Sequence, residues 1–292
     1  MTDAPLISIL TPAYNAGKYL GELLDSVERQ DFYRYEHLVI DDGSTDNTKE
    51  ILASRASMNP RLRWYSRPNK GQYETQNELL QLARGEVISV ICADDMYAGP
   101  NVLSRVAKEF SQTPDLDVLF GRTPRCCPYV FDPDLPRWLA RPLMPYLLCV
   151  QHCSVFVRRE LLLKNHLYFD NSYRMRGDWD WLIRVFRATQ RVKSIAAPLA
   201  LWRYHSEQTS VVAVDARQAE SRRVCAAYGS SFFVHRLLRF TAFVTSQTIH
   251  VATLVRVMGP GFVGRKLLKF LRLKIATPFG RAQSGNLGAS NR

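Results

Sequence analysis

Two runs decide the fold: Leu6-Ile7-Ser8-Ile9-Leu10-Thr11-Pro12, and then His37-Leu38-Val39-Ile40-Asp41-Asp42-Gly43-Ser44-Thr45-Asp46. Residues 6–11 are short, β-branched and apolar on both faces, and Pro12 closes them, as for a strand buried in a parallel sheet. Between the runs Tyr19, Leu20, Leu23, Leu24 and Val27 recur at helical spacing, with Gly17 before them and Gln30-Asp31 after. The alternation continues outward. Residues 37–40 form a second strand, 48–56 a helix, 62–65 a strand, 73–83 a helix and 87–91 a strand. Strand and helix in rotation predict right-handed βαβ crossovers, hence an α/β fold whose mainly parallel sheet carries helices on both faces. Ligands of such sheets bind beyond the carboxyl ends of the strands.

The second half is less regular. Pro124, Pro128, Pro133, Pro136, Pro142 and Pro145 predict a long ordered loop over residues 124–145. Residues 150–157 read as a strand, 179–188 as a helix and 192–204 as a strand broken at Pro198, with no internal repeat.

Hydrophobic residues at 46% and charged residues at 23% of 292 exclude a disordered, collagen-like or coiled-coil chain. Charge is unevenly spread: 27 basic residues face 27 acidic ones up to Glu220, and beyond it twelve basic residues face none. The basic character therefore belongs to a tail, and nucleic acid is not the expected partner of the body. In that tail Arg265, Lys269 and Arg272 share one helical face, with Val263, Leu267, Phe270 and Leu271 roughly opposite. That pattern predicts an interfacial helix resting on an anionic membrane surface, while neither apolar stretch (232–258 or 262–275) suits a span. Residues 276–292 read as a frayed end, and the N-terminus has no signal-peptide pattern. The expectation is a cytoplasmic protein, peripheral on the inner face of the plasma membrane. Cys92, Cys126, Cys127, Cys149, Cys153 and Cys225 show no C-x-x-C pair and read as free thiols. Cys149, His152 and Cys153 lack an evident fourth zinc ligand, so packing is the expected use of all three.

Chemistry is carried by two acidic pairs at strand ends, Asp41-Asp42 and Asp94-Asp95. Adjacent carboxylates repel unless a cation or donor neutralises them. A hard divalent cation, Mg2+ or Mn2+, suits Asp94-Asp95, and recognition of a base and ribose suits Asp42. Such an ion completes its shell with water and phosphate oxygens, so a nucleotide diphosphate is the natural ligand.

In order and spacing, Pro12-Ala13-Tyr14-Asn15, Asp41 to Asp46, the stretch from Asn77 to Ile88 and Ala93-Asp94-Asp95 resemble the inverting family 2 glycosyltransferases. His152-x-Ser154-x-Phe156-x-Arg158-Arg159, Gly177-Asp178-Trp179-Asp180 with Arg184, and Trp202-Arg203-x-His205 with Gln208-x-Ser210 resemble the acceptor half of the polysaccharide-building members. About residues 5–211 are covered. The resemblance implies a GT-A glycosyltransferase domain over residues 1–215, followed by the basic amphipathic helical tail over 216–292.

It further implies that Pro12, Tyr14, Asn15 and Asp42 hold the nucleotide-sugar, with Asp41 a weaker candidate beside them. Asp94 and Asp95 would stand at the metal-and-diphosphate position. Members often read Asp-Ala-Asp-Asp there, whereas this chain has Cys92 first, a poor partner for Mg2+. Asp95 becomes the principal ligand, with Asp94 turned to the ribose or the metal waters. His205 is implied as a further metal ligand or a diphosphate donor, and a structural histidine is the competing use. Asp178 resembles the catalytic base that takes the proton of an attacking sugar hydroxyl. Its residue type fits equally the N-cap of the helix that follows. Arg203 and Arg184 are candidate phosphate or acceptor contacts, although Arg184 also suits an ion pair with Asp180 at i, i+4. Trp179 is a candidate for stacking on a sugar, with core packing as its alternative.

The implied activity is transfer of a sugar from a nucleotide-diphosphate-sugar to a hydroxyl of a growing, lipid-linked surface polysaccharide. A sugar nucleotidyltransferase would want a Gly-rich basic phosphate loop, which Pro12 to Gly17 is not. A non-catalytic nucleotide-sugar-binding relative is the other alternative, suggested by Cys92.

Overall fold

The computed structural model describes residues 4–124, 144–145, 148, 150–203, 205, 208, 213–234 and 236. The expectations for most of the proline-rich loop, for Cys126, Cys127, Cys149 and Ser210, and for the amphipathic tail fall outside the described residues.

The first strand, β1, spans Ile7–Ala13, followed by α1 (Leu20–Glu28), β2 (Tyr35–Asp41), α2 (Thr48–Met58) and β3 (Leu62–Ser66). Then come α3 (Gln72–Leu82), β4 (Val87–Val90), the short β5 (Met96–Tyr97), α4 (Val102–Gln112) and β6 (Val118–Arg122). A 3-10 turn at His152–Ser154 leads into β7 (Val155–Arg158), α5 (Arg159–Lys164), α6 (Gly177–Ala188), β8 (Val192–Pro198), β9 (Ala200–Leu201) and α7 (Val214–Ala227). Seven strands form one sheet in the order β3-β2-β1-β4-β7-β6-β8, and β5 pairs with β9. The sheet is mainly parallel, with β7 running against both β4 and β6.

Two apolar layers follow from the alternation of side chains along the strands. Leu10, Leu38, Ile88, Val90 and Val157 pack under α3, α6 and α7 through Leu79, Trp181, Ile183 and Val224. On the other face Ile7, Ile9, Val39, Val87 and Phe156 meet α1, α2 and α4 through Leu20, Leu24, Leu52, Val102 and Val106. Both faces of the sheet are therefore covered, as parallel strands require.

Two differences from the sequence reading have physical causes. Pro12 does not close β1: it pairs in register with Ile40, and the strand continues to Ala13. Leu6 and Leu10 turn their carbonyls to β4, so Pro12's missing N–H faces that side too, beyond the end of β4 at Val90. No ladder bond is lost. The expected strand over 150–157 begins with the 3-10 turn and then runs antiparallel, Ser89 opposite Phe156. The described residues all fall in one compact unit. Helix α7 is tied to this unit because Glu220 accepts the N–H groups of Arg174, Met175 and Arg176 at 2.8–2.9 Å, while Val224 and Cys225 are buried. Among the described residues no helix is long and apolar enough to cross a membrane.

One buried group gives the body a measurable acid sensitivity. His37 on β2 is 1% exposed, its Nε2 lies 3.0 Å from Thr11 Oγ1, and burial lowers its pKa to about 3. The unfolded chain takes up this proton near pH 6.5 and the folded chain only near pH 3, so stability is lost as pH falls through that window. By pH 5 the contribution is about 2 kcal/mol. His37→Gln should lack this part of the slope in urea titrations at pH 7 and pH 5; equal slopes in both proteins would remove His37 as the cause.

Candidate active site

Strand β1 lies between β2 and β4, so chain connections diverge on either side of it and open a crevice beyond the strands' carboxyl ends. Tyr14 follows β1, Asp41 ends β2 and Asp42 follows it, and Asp94 and Asp95 lie just past β4. Because β7 is antiparallel, its entering turn reaches the same end and delivers His152.

The loops after β1 and β2 are fastened to each other. Asn15, Ala16 and Gly17 donate their N–H groups to Ser44 Oγ, Thr48 Oγ1 and Asp46 Oδ2 at 2.8–2.9 Å, and Asn15 Oδ1 accepts Thr45 N–H at 2.9 Å. Asn15 sits at φ 47, a left-handed conformation that asparagine tolerates. It organises the loop and leaves Tyr14, 55% exposed, at the mouth. Pro12 is buried in β1 beneath it.

Asp41 and Asp42 are both buried and both occupied. Asp41 accepts Ser66 Oγ at 2.6 Å and Ser44 N–H at 3.2 Å. Asp42 accepts the N–H groups of Lys70 and Gly71 at 2.9 and 3.0 Å and pairs with Arg67, which also holds Glu78. Asp42 thus shapes the turn from β3 into α3. Arg67 was not anticipated, since nothing local marks a partner 25 residues away.

Asp94 and Asp95 are locked by the strand that returns beneath them. Arg203 donates its N–H to Asp95 Oδ1 at 3.1 Å and its Nε–H to the Asp94 carbonyl at 3.0 Å, and its guanidinium also meets Glu22 at 2.6 Å. Arg203 is thereby a brace of the acidic turn. His205 Nε2 lies 3.2 Å from Asp94 Oδ2, and its ring packs 4.8 Å from that of Tyr19. Asp94, Asp95, Arg203 and His205 therefore stand together. Burial, with Asp94 beside it, pushes the Asp95 carboxyl up to about 8, the mark of a negative charge short of compensation. A divalent cation added at Asp95 would offset that deficit.

Asp178 stands in the first turn of α6 and does not serve as its N-cap, a position held by Arg176. Its Oδ1 accepts Trp179 N–H at 2.8 Å, and its Oδ2 faces His152 Nδ1 at 3.5 Å. Burial alone would raise its pKa, but His152, Arg176 and the Trp179 N–H outweigh burial and hold it below the usual carboxylate value. The helix start is fixed by Glu220 from one side and by Tyr73 from the other. A Cβ on Gly177 would stand 2.7 Å from the Tyr73 ring, so only glycine permits this approach.

His152 joins the two acidic regions. Its Nε2 is 3.4 Å from Cys92 Sγ, and burial, which would lower its pKa, is overcome by Cys92 and Asp178, so it is held well above the ordinary histidine value. The half-buried Cys92 thiol is itself pushed up, by desolvation first and by Asp94 and Asp95 beside it. The sequence offered His152 as the head of the motif resembling the acceptor half and, with Cys149 and Cys153, as packing; its place between Cys92 and Asp178 comes from the fold. Trp179 is a correction of another kind. It is fully buried, with Nε1–H donating to the Met144 carbonyl at 2.7 Å, so no ring face is open to a sugar. Arg184 pairs with Asp180 at 2.8 Å, whose other oxygen accepts Tyr228, and it is not drawn to the acidic turn.

Known proteins share the fold that carries these residues. "Uncharacterized glycosyltransferase EpsJ" of Bacillus subtilis (strain 168) is 30% identical over 213 residues, 68% of this chain and 61% of EpsJ, so the chain spans less than two thirds of that curated relative. A solved structure of S. aureus TarS 1-349 in complex with UDP-GlcNAc has a TM-score of 0.60 at 20% identity, covering 76% of this chain and 71% of its own. The mannosyltransferase PcManGT from Pyrobaculum calidifontis, solved in complex with GDP-Man and Mn2+, has a TM-score of 0.58 at 18% identity, covering 93% of this chain and 81% of its own. At those identities the structures bear on the fold alone, which is the GT-A-like sheet described above. The family model described as glycosyl transferase family 2 matches residues 8–159, a stretch that runs from β1 through the fastened loops, the acidic turn and the His152 turn, and the chain belongs to that family.

Proposed function

We propose that the chain transfers a sugar from a nucleotide-diphosphate-sugar to a hydroxyl of a glycan acceptor, with inversion at the anomeric carbon. The observation that carries this reading is Asp178: a carboxylate kept ionised, with a side chain 15% exposed, linked through His152 to the turn that bears Asp94 and Asp95. The acceptor oxygen forms a bond to the anomeric carbon from the face opposite the diphosphate. The bond from that carbon to the diphosphate breaks, and the hydroxyl proton passes to Asp178. A single displacement inverts the centre and needs no enzyme nucleophile. A divalent cation of the Mg2+ or Mn2+ kind, when bound at Asp95 with Asp94 and His205, supplies charge neutralisation on the departing diphosphate. Tyr14 and the Asp42 turn frame the nucleoside. The acceptor is a growing, lipid-linked surface glycan, and the twelve basic residues beyond Glu220 hold the protein to the anionic inner face of the membrane, a reading supported by charge alone.

Thermal unfolding with UDP, GDP, dTDP and CMP, each with and without Mn2+, tests donor binding. One nucleotide should stabilise the chain by about 2.7 kcal/mol at a hundredfold excess over its dissociation constant. The neighbours bind UDP-GlcNAc in one case and GDP-Man in another, so the base that wins names the donor class here. Failure of all four, together with no release of nucleotide diphosphate from any matching sugar donor, would overturn the proposal.

A further inference from the structure

We propose that Cys92, Asp95 and His152 form a binding site for a thiophilic divalent cation of the zinc class. One ligand atom from each, thiol sulfur, carboxylate oxygen and imidazole nitrogen, lies within 4.8 Å of the other two. Around a tetrahedral ion with bonds of about 2.0–2.3 Å such atoms stand roughly 3.3–3.8 Å apart, so a shift of about an ångström closes the set. Cys92 Sγ and His152 Nε2 already stand at 3.4 Å. The turn that presents two of the ligands is closed by Asp95 N–H donating to the Cys92 carbonyl at 3.0 Å.

Burial and orientation both favour an ion. Asp95 is 2% and His152 8% exposed, and His152 Nδ1 is a buried polar atom without a well-formed hydrogen bond, directed at Asp178 Oδ2 from 3.5 Å. A histidine that gives Nε2 to a metal keeps its proton on Nδ1 and commonly directs it to a carboxylate, which fixes the ring and strengthens the ligand. Asp178 stands where that carboxylate is needed. Sulfur and nitrogen donors discriminate among cations: Mg2+ prefers an all-oxygen octahedral shell with several waters, whereas zinc and cobalt accept a thiolate, an imidazole and a carboxylate together. Three protein ligands leave a fourth position for water or a phosphate oxygen. A thiol and an imidazole beside the Asp95 carboxylate thus set the class of cation.

The proposal rests on the transferase reading and departs from it at the cation: Cys92 and His152, rather than Asp94 and His205, complete the set at Asp95, and the ion is of the zinc class rather than Mg2+ or Mn2+. Its test uses neither donor nor acceptor, so each can fail separately. The reduced, chelator-stripped full chain is titrated with Co2+. A thiolate-to-cobalt charge-transfer band should appear at one equivalent, be displaced by Zn2+, and survive a roughly 100-fold excess of Mg2+. Cys92→Ala should abolish the band and weaken Zn2+ binding on the order of 100-fold or more, while Cys225→Ala keeps it. Cys92→Asp should lose the band yet bind Mn2+ more tightly than the parent. Should the variants fail to fold, alkylation of the unaltered chain mapped by mass spectrometry decides: Zn2+, unlike Mg2+, should protect Cys92. Absence of the band, a band undiminished in both Cys92 variants, displacement of cobalt by equimolar Mg2+, or equal alkylation of Cys92 with either ion would overturn the site.

Discussion

Replacing Asp178 by asparagine should lower kcat on the order of 10²–10⁴-fold while the nucleotide dissociation constant changes by less than about threefold. Asparagine keeps the volume and can still accept the Trp179 N–H now bound at 2.8 Å, so the first turn of α6 should survive. What it lacks is the capacity to take a proton from the acceptor hydroxyl. The predicted pH profile follows from the sign of the shift. Asp178 is held below the ordinary carboxylate value by His152, Arg176 and the Trp179 N–H against the opposing effect of burial, so it is ionised throughout the neutral and mildly acidic range. Protonation that silences it begins only below that value. Asp178 should therefore contribute no acidic limb to kcat between about pH 5 and pH 7. Single-turnover transfer, read beside nucleotide binding, separates chemistry from occupancy. An asparagine variant within tenfold of the parent would end the assignment.

Local pattern made the first half of this molecule readable and left the second half to tertiary contacts. Residues 37–40, 48–56 and 62–65 grew by only a few residues into β2, α2 and β3, because short apolar runs and helical spacing are properties of a single segment. The His152–Ser154 turn and the antiparallel course of β7 depend instead on pairing Phe156 with Ser89, and no pattern inside residues 150–157 declares a direction. The same division holds in the site. Asp94, Asp95 and Asp178 were legible as carboxylates placed after apolar strands or before a helix. His152 was legible as part of a motif, but its place between Cys92 and Asp178, 60 residues before it and 26 after, came only with the fold. Trp179 shows the reverse case: an aromatic ring beside a candidate base invites a sugar-stacking role, yet α6 turns it inward to Met144.

Asp42 yields the second large effect, and it falls on stability before it falls on binding. Both of its oxygens are used within the chain, by Lys70 N–H, Gly71 N–H and the Arg67 guanidinium, with its side chain 4% and that of Arg67 10% exposed. Asp42→Ala leaves the buried Arg67 cation with Glu78 as its remaining carboxylate partner, Lys70 N–H without its acceptor and Gly71 N–H with Asn69 Oδ1 alone. Breaking a buried pair on one side costs about 3–5 kcal/mol, and an orphaned donor about 1–3, so a loss near 4 kcal/mol is expected once partial relaxation is allowed. That is a large share of the roughly 5–15 kcal/mol that holds a domain folded. Gly71, at φ 94, is the residue before α3, so the damage should spread to the helix that carries Tyr73 against Gly177. Tyr14→Ala provides the contrast. An exposed ring at the crevice mouth should change stability by no more than about 0.5 kcal/mol. Stacking of a base on it is worth about 1–3 kcal/mol, so nucleotide affinity should fall roughly 5- to 160-fold. Urea unfolding and nucleotide titration of both variants distinguish a residue that builds the nucleoside turn from one that touches the nucleoside. If Asp42→Ala kept its stability and lost only nucleotide affinity, Asp42 would be a direct contact after all, and the Arg67 pairing would be incidental.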